Sequence, residues 1–307
     1  MQQCEEVLEK INDKIDKYSE MTYQERLFLT NLILEHKPQK ILEVGVAAGA
    51  SSLVILNAIR ENNYGELYSI DYNQKYYRDN TRTTGFLVKE LFPEFMDKWQ
   101  FFSCGLCANY LDCIGKDIDF CFIDTVHSTP GEILDFLMIL PYLKESAIVV
   151  LHDIALHQYS ERRTENVNCM LYSAIKGQKL VLWEPKYIAF GNIGGIILDK
   201  DIKERVYDIF NLLIMPWHYE LNDNDYKILI DHLSRFYDSK LLSIFVKAKE
   251  LNHRFLENAE NEPKICNINT LNNKKIRKMF WYMLLSKVTF GCTKQMFSEK
   301  LQELKNS

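Results

Sequence analysis

Ile41-Leu42-Glu43-Val44-Gly45-Val46-Ala47-Ala48-Gly49-Ala50-Ser51-Ser52 is the stretch that decides how this chain folds. Ile41, Leu42 and Val44 form a β-type apolar run that ends at Gly45, turns through small residues to Gly49 and enters a helix at Ser51-Ser52-Leu53. Glycines at 45 and 49 let the backbone pass close to a ligand with no Cβ in the way. The helix that follows points its free N–H groups at the same place. This predicts a nucleotide-type crevice at the carboxyl end of a first strand. Twenty-two residues past Gly49, Asp71 closes a second apolar run, Leu67-Tyr68-Ser69-Ile70, and an acid there can bind a ribose diol. For the glycines alone, an ordinary strand-to-helix turn is the plain alternative.

The dinucleotide fingerprint is G-x-G-x-x-G, with a pyrophosphate on the helix N-terminus. Here the spacing is E-x-G-x-x-x-G-x-S. The acid Glu43 beside the turn would repel a pyrophosphate and suits a cationic ligand. The pattern resembles the first motif of the class I S-adenosylmethionine-dependent methyltransferases, with Asp71 matching their ribose acid. That resemblance implies S-adenosylmethionine as cofactor. It puts Glu43, Gly45, Ala47, Gly49, Ser51, Asp71 and Tyr72 around it, joined by Cys104 and Asp124 from further along the chain.

From 40 to about 198, strand-like and helix-like segments alternate, the sign of an α/β chain with a parallel, doubly wound sheet. Strands are predicted over 40–45, 66–71, 99–103, 118–124, 147–152, 179–183 and 192–198. Seven strands is the number in the Rossmann-like methyltransferase fold, whose last strand runs antiparallel, and Asn192 to Leu198 fits that strand. Ahead of the sheet, Val7, Ile11, Ile15 and Tyr18 share a helical face. Thr22-x-x-Glu25 then reads as a capping box opening a second helix through about Glu35. The span 155–178, with its charged centre Glu161-Arg162-Arg163, reads as a mobile, substrate-facing insertion. After Asp199 the spacing of Ile202, Val206, Ile209 and Leu213 is helical, and so is 240–257. The expected organisation is N-terminal helices over 1–38, the sheet domain over 39–199 and a helical C-terminal extension over 200–307.

Composition narrows the classes. The 307 residues are 47% hydrophobic and 26% charged, as in a globular protein, and the net charge of −5 argues against a nucleic-acid binder. The N-terminus shows no signal-peptide pattern and no apolar run approaches the ~18 residues of a membrane span. Eight cysteines without disulfide-like spacing suit a reducing cytoplasm. Cys104-Gly105-Leu106-Cys107 forms one C-x-x-C, but no second pair completes a zinc set, so a redox or metal role for it is disfavoured.

The segment from Asp117 to Asp153 is the richest in reactive side chains. A buried-strand run ends in Asp124-Thr125-Val126-His127-Ser128, and the next strand ends in His152-Asp153. In a parallel sheet both endings fall on the edge that carries Gly45 to Gly49. One crevice would then gather two carboxylates and two imidazoles. The arrangement is similar to the F-I-D-x-x-H-S … H-D signature of a methyltransferase branch. That branch holds catechol-type and macrolide-sugar O-methyltransferases and cephalosporin-hydroxylase-like proteins. It implies Asp124 and Asp153 as ligands of Mg²⁺ or Mn²⁺, or as polar anchors, with His152 where sugar-modifying relatives have Glu. Two further departures are Ile154, where the catechol type has Asn, and Glu145-Ser146 in place of the branch's Gly-Gly. Mg²⁺ prefers oxygen donors, so a His in the set points towards Mn²⁺ or no metal. The catalytic candidates are Asp124 with His127 or His152 as the base; hydrogen-bonded structural roles compete for each His, and an N-cap role for Asp153.

The last 44 residues carry nine Lys or Arg against two Glu around an aromatic, apolar centre, Lys278 to Leu285. A helix docking on the domain is the favoured reading; peripheral contact with the inner face of an anionic membrane is the other. The tail from Leu284 to Gly291 resembles C-terminal tails of bacterial surface-polysaccharide biosynthesis proteins. Together these readings give an O-methyltransferase for a sugar hydroxyl in capsule or lipopolysaccharide-type glycan synthesis, with a small-molecule or glycan substrate, no nucleic-acid partner and room for a homo-oligomer. A hydroxylase-like enzyme on the same fold and a non-catalytic partner subunit are the alternatives. A dehydrogenase is disfavoured by the missing third glycine.

Overall fold

The computed structural model describes residues 2–158, 162, 165–184 and 189–261. Helices α1 (Gln2–Ile15) and α2 (Tyr23–His36) lead into strand β1 (Lys40–Val44), helix α3 (Ala50–Asn62) and β2 (Glu66–Asp71). A hairpin follows, β3 (Lys75–Tyr76) with β4 (Asp79–Thr83), then α4 (Phe86–Leu91), β5 (Trp99–Ser103), α5 (Leu111–Ile114) and β6 (Ile118–Ile123). Next come α6 (Gly131–Ile139), β7 (Leu143–His152), α7 (Val167–Ala174), β8 (Gly177–Glu184) and β9 (Ala189–Leu198). Helices α8 (Tyr207–Leu212), α9 (Asp223–Leu233) and α10 (Ser239–Asn261) close the described chain. Contacts divide the chain into two compact units, Met1–Phe255 and Leu256–Ser307; the described part of the second is the end of α10.

Seven strands form one sheet in the order β5-β2-β1-β6-β7-β9-β8. Only β9 opposes the others, pairing antiparallel with β7 and β8. This is the Rossmann-like arrangement the sequence predicts, with the last strand reversed. The chain reverses strand order between β1 and β6, and that switch point is where α/β sheets open a crevice.

Side chains alternate across each strand, so each face of the sheet buries its own core. Ile41, Phe120, Phe122, Ile148 and Val150 pack with α1, α2 and α3 on one face. Leu42, Val44, Cys121, Ile123, Val149 and Leu151 pack with α6 and α7 on the other. Phe210, Leu229 and Phe245 of α8, α9 and α10 join that second core.

The start of α2 follows the expected capping box: Glu25 N–H donates to Thr22 Oγ1 and Thr22 N–H donates to Glu25 Oε2. The 3₁₀ turn Asp16–Tyr18 ends the first helix three residues before its periodicity runs out. In the span 155–178, Leu156 and Arg162 face the crevice, as its sequence reading expected, but its other described residues are more ordered than an insertion. Its described part contains α7, whose Val167 and Leu171 are buried and whose Asn168 Nδ2 donates to the carbonyl of His152. Glu161 and Arg163 lie outside the described residues, as does the polysaccharide-type tail with its basic, aromatic centre. No helix among the described residues is long and apolar enough to cross a membrane.

Candidate active site

Strand register brings the reactive positions together. Val44 pairs with Ile70 on one side and Ile123 on the other, and Ile123 pairs with Leu151. The next residue on each strand, Gly45, Asp71, Asp124 or His152, therefore stands in the following row, at the carboxyl edge. Gly45 N–H donates to the Ile70 carbonyl and Asp124 N–H to the Val44 carbonyl, tying the row across three strands. Gly45 sits at φ 90°, and a Cβ there would lie 1.8 Å from the Asp124 carbonyl oxygen, so no other residue fits.

The turn after Gly45 is held from below. Asp71 Oδ2 accepts from the N–H groups of Val46 and Ala47 (2.8 and 3.0 Å), and Oδ1 accepts from Asn73 N–H (2.8 Å). A carboxylate offers about four lone-pair sites, so the inferred ribose contact remains open to it. Gly49 is the left-handed N-cap of α3, with no side chain capping the first turn.

Glu43 is placed differently from its sequence reading. It is fully buried behind the turn and does not line the cavity. Its oxygens accept from Ser51, Ser52 and Ser69 hydroxyls, each at 2.6 Å. Burial pushes its carboxyl up to about 7, the three hydroxyls holding it back. Glu43 thus pins β1 to β2 and to the start of α3. Gly49 and the exposed Cys104 also stand outside the lining, whereas Gly45, Ala47, Ser51, Asp71, Tyr72, Asp124, His127, His152 and Asp153 belong to it.

The cavity measures about 1020 Å³, at the upper end for small-molecule sites and large enough for two ligands side by side. Among the described residues eight acids line it, Glu20, Glu25, Asp71, Asp124, Asp135, Asp153, Glu220 and Asp225, against the basic side chains of Lys75, Arg78 and Arg162. Such a field favours cations over phosphorylated ligands.

At one end, single ligand atoms of Asp124, His152 and Asp153 all lie within 4.8 Å of one another. His152 Nδ1 is buried without a hydrogen bond, 3.4 Å from Asp124 Oδ1 and 3.3 Å from Asp153 Oδ2. Its Nε2 faces Glu25 Oε2 at 3.5 Å. An imidazole backed by a carboxylate, with its other nitrogen unpartnered between two acids, is the chemistry of a cation ligand set. These residues therefore fit a divalent ion. Burial opposes charge on His152, but Asp124 and Asp153 outweigh it and hold its pKa well above the usual imidazole value. Burial likewise works against the Asp153 carboxylate, and His152 and His127 overcome it, bringing it down to about 2.

His127 is the second imidazole. Its Nε2 lies 3.2 Å from Asp153 Oδ2 and 3.8 Å from Asp124 Oδ1. Burial disfavours its charged form, yet Glu132, Asp124 and Asp153 raise it to about 9. Asp135, also in the lining, is pushed up to about 7 by burial and by Glu132, while Thr125 and Cys107 hold it back.

Sequence reasoning did not single out several of these groups. Asp135, Glu132 and Tyr219 carry no local motif. Glu25 had a signal, its capping box, but nothing in the sequence ties it to His152, 127 residues away. Tyr72 Oη donates to Asp225 Oδ2 (3.0 Å), and the Glu20 carboxylate accepts from Tyr77 and Arg78, closing the rim.

Residues 42–154 match the model of a family described as a methyltransferase domain. That stretch holds most of β1, and β2, β5, β6 and β7 of the sheet, so the part of the chain that is similar to a methyltransferase domain is the part whose carboxyl edge opens the cavity. Among solved structures, the chain is similar to the O-methyltransferase TomG from Streptomyces achromogenes, involved in tomaymycin synthesis and in complex with S-adenosylmethionine. The identity is 15% over 63% of this chain and 90% of that one, with a TM-score of 0.44. It is similar to the Bacillus cereus O-methyltransferase in complex with S-adenosylhomocysteine at 15% identity, over 64% and 91%, with a TM-score of 0.44. The S-adenosylhomocysteine-bound Podospora anserina methyltransferase PaMTH1 is similar at 18%, over 64% and 87%, again with 0.44. No curated protein matches the chain.

Proposed function

We propose that the protein is an S-adenosylmethionine-dependent O-methyltransferase acting on a hydroxyl of a sugar or related small molecule, assisted by a divalent cation. The observation that carries this reading is the meeting of Asp124, His152 and Asp153 in the same cavity as the glycine turn. The sugar rests on the resemblance of the segment around Asp124 and His127 to sugar-modifying relatives. One imidazole among the donors favours Mn²⁺ over Mg²⁺.

When bound, the cofactor would supply an activated methyl group on a sulfonium, and a cation would lower the pKa of the acceptor hydroxyl. The chain's own residues do the rest. The turn from Gly45 to Ala48 and the Asp71 carboxylate would hold the donor. Asp124, His152 and Asp153 would hold the cation. With Asp124 and Asp153 engaged by a cation, the charge that raises His127 would be offset, and its Nε2, facing the same acids, would take the acceptor's proton. Tyr18 to Thr22, Glu25 and Tyr219 to Asn222 complete the wall of the cavity.

Calorimetry with S-adenosylmethionine and S-adenosylhomocysteine tests the reading; absence of binding at millimolar concentration would sink it. Mn²⁺ should raise the melting temperature of chelator-treated protein, and indifference to the ion removes it from the mechanism. A second reading, a hydroxylase on the same fold, is favoured by one observation: two imidazoles and two carboxylates gather at one spot, the donor types of non-haem iron sites. Turnover without O₂ excludes it.

A further inference from the structure

We infer that Glu132 is the positioning residue of His127, holding the proton on Nδ1 so that Nε2 presents its lone pair to the cavity. The inference rests on the reading of His127 as the proton acceptor. An acid in the first turn of a helix ordinarily needs no explanation beyond the helix dipole. Glu132, in the first turn of α6, does something else with its carboxylate. It is fully buried, and its Oε1 reaches back to accept the N–H of His127 (2.5 Å). That bond holds His127 in the left-handed region at φ 55°, which a residue with a Cβ seldom adopts.

The ring is fixed by the same oxygen. His127 Nδ1 lies 3.5 Å from Glu132 Oε1. Nδ1 is buried with no hydrogen-bond partner, and so is Glu132 Oε2. Two unpartnered buried polar atoms on adjoining groups are costly apart, and a small turn of ring or carboxylate satisfies Nδ1 as a donor. On the far side of the ring stand Asp153 and Asp124, which attract a proton to Nε2 instead. Glu132 therefore competes with them for the single proton of the neutral ring. A carboxylate accepts only, so wherever Glu132 wins, the proton sits on Nδ1 and Nε2 is bare. A cation held by Asp124 and Asp153 would offset their charge and leave Glu132 the stronger acceptor for that proton.

A Gln in place of Glu132 turns this logic round. Its carbonyl still accepts from His127 N–H, so the backbone is kept, but its amide N–H₂ donates to Nδ1 and selects the opposite tautomer. The test is long-range ¹H–¹⁵N correlation on the full chain with ¹⁵N-labelled histidine, in saturating Mg²⁺, at a pH where the ring is neutral. The His127 signals are identified by their loss in H127Q. The wild type should show the Nδ1–H tautomer, E132Q should move the population to Nε2–H by several-fold, and E132D, which keeps a carboxylate, should retain Nδ1–H. An Nε2–H ring in the wild type, or the same tautomer in wild type and E132Q, overturns the inference. If E132Q does not fold, a wild-type Nδ1–H ring kept in E132D but lost in E132A supports it, and a ring unchanged in E132A refutes it. None of these readouts needs methyl transfer. Failed cofactor binding in calorimetry strikes the methyltransferase reading, while the tautomer decides Glu132.

Discussion

The tips of β1, β2, β6 and β7 and the segments standing around them make one cavity by different means. The tips are a row fixed by sheet register: Gly45, Asp71, Asp124 and His152 come level because Val44, Ile70, Ile123 and Leu151 are paired. The surround, 18–25 and 219–229, is held by side chains crossing between distant elements, such as Tyr72 with Asp225 and Glu25 with His152. A ladder of backbone bonds fixes which residues stand level, and here the register is unbroken from Phe120 to Ile123 up to the strand tips. Side-chain bridges specify it loosely, so the same floor can carry walls of different composition.

The comparison is open to breakage from the floor side first. G45A should have the largest effect, because its Cβ meets backbone at 1.8 Å and the left-handed φ adds strain. Denaturant titration should show a loss of about 3 kcal/mol or more, and calorimetry should show cofactor binding abolished. Wild-type stability with intact binding would mean the floor is softer than its register implies.

Glu43 gives the next effect, and it depends on pH. Its carboxyl stands at about 7 in the folded protein against 4.5 for the ordinary group, so the folded state binds the proton more tightly. Stability from this source is complete below pH 4.5 and is lost as pH rises through 7, by on the order of 3 kcal/mol at most. E43Q, always neutral, should lack that decline when melting temperature is followed across the window in cation-free protein. Parallel curves for the two proteins would show the carboxyl is not held protonated.

The smallest effect is expected in the wall. E25Q keeps a capping side chain but weakens the support behind His152, and outer partners of this kind change ion affinity by about tenfold. Mn²⁺ titration should show that weakening with S-adenosylmethionine affinity unchanged. Equal losses of both would merge wall and floor into one unit.

Much of the floor was legible because its signals are local. Period-2 apolar runs ending in Gly, Asp or His mark strand tips, and a parallel sheet sends all those ends to one edge. The sequence reading put Asp124, His152 and Asp153 in one crevice on that ground, and they do share it. Glu43 shows the limit: its position in the motif was plain, but whether it faces the ligand or the core depends on Ser51, Ser52 and Ser69 converging on it. The hairpin β3–β4 was missed because Asp79–Thr83 is polar throughout and shows no alternation. The walls were illegible for a stronger reason. Residues 219–229 read as part of a helical region, and only tertiary packing turns their polar ends over the strand tips.

Glu25 spends a single oxygen on two tasks: Oε2 accepts Thr22 N–H to begin α2, and it stands behind His152 Nε2. Seating of the N-terminal hairpin of helices and occupancy of the pocket are thereby thermodynamically linked. Whatever factor one gains from the other, the other must gain in return. An ion held at His152 would fasten the front of the chain, and displacing the start of α2 would in turn weaken its hold on the ion.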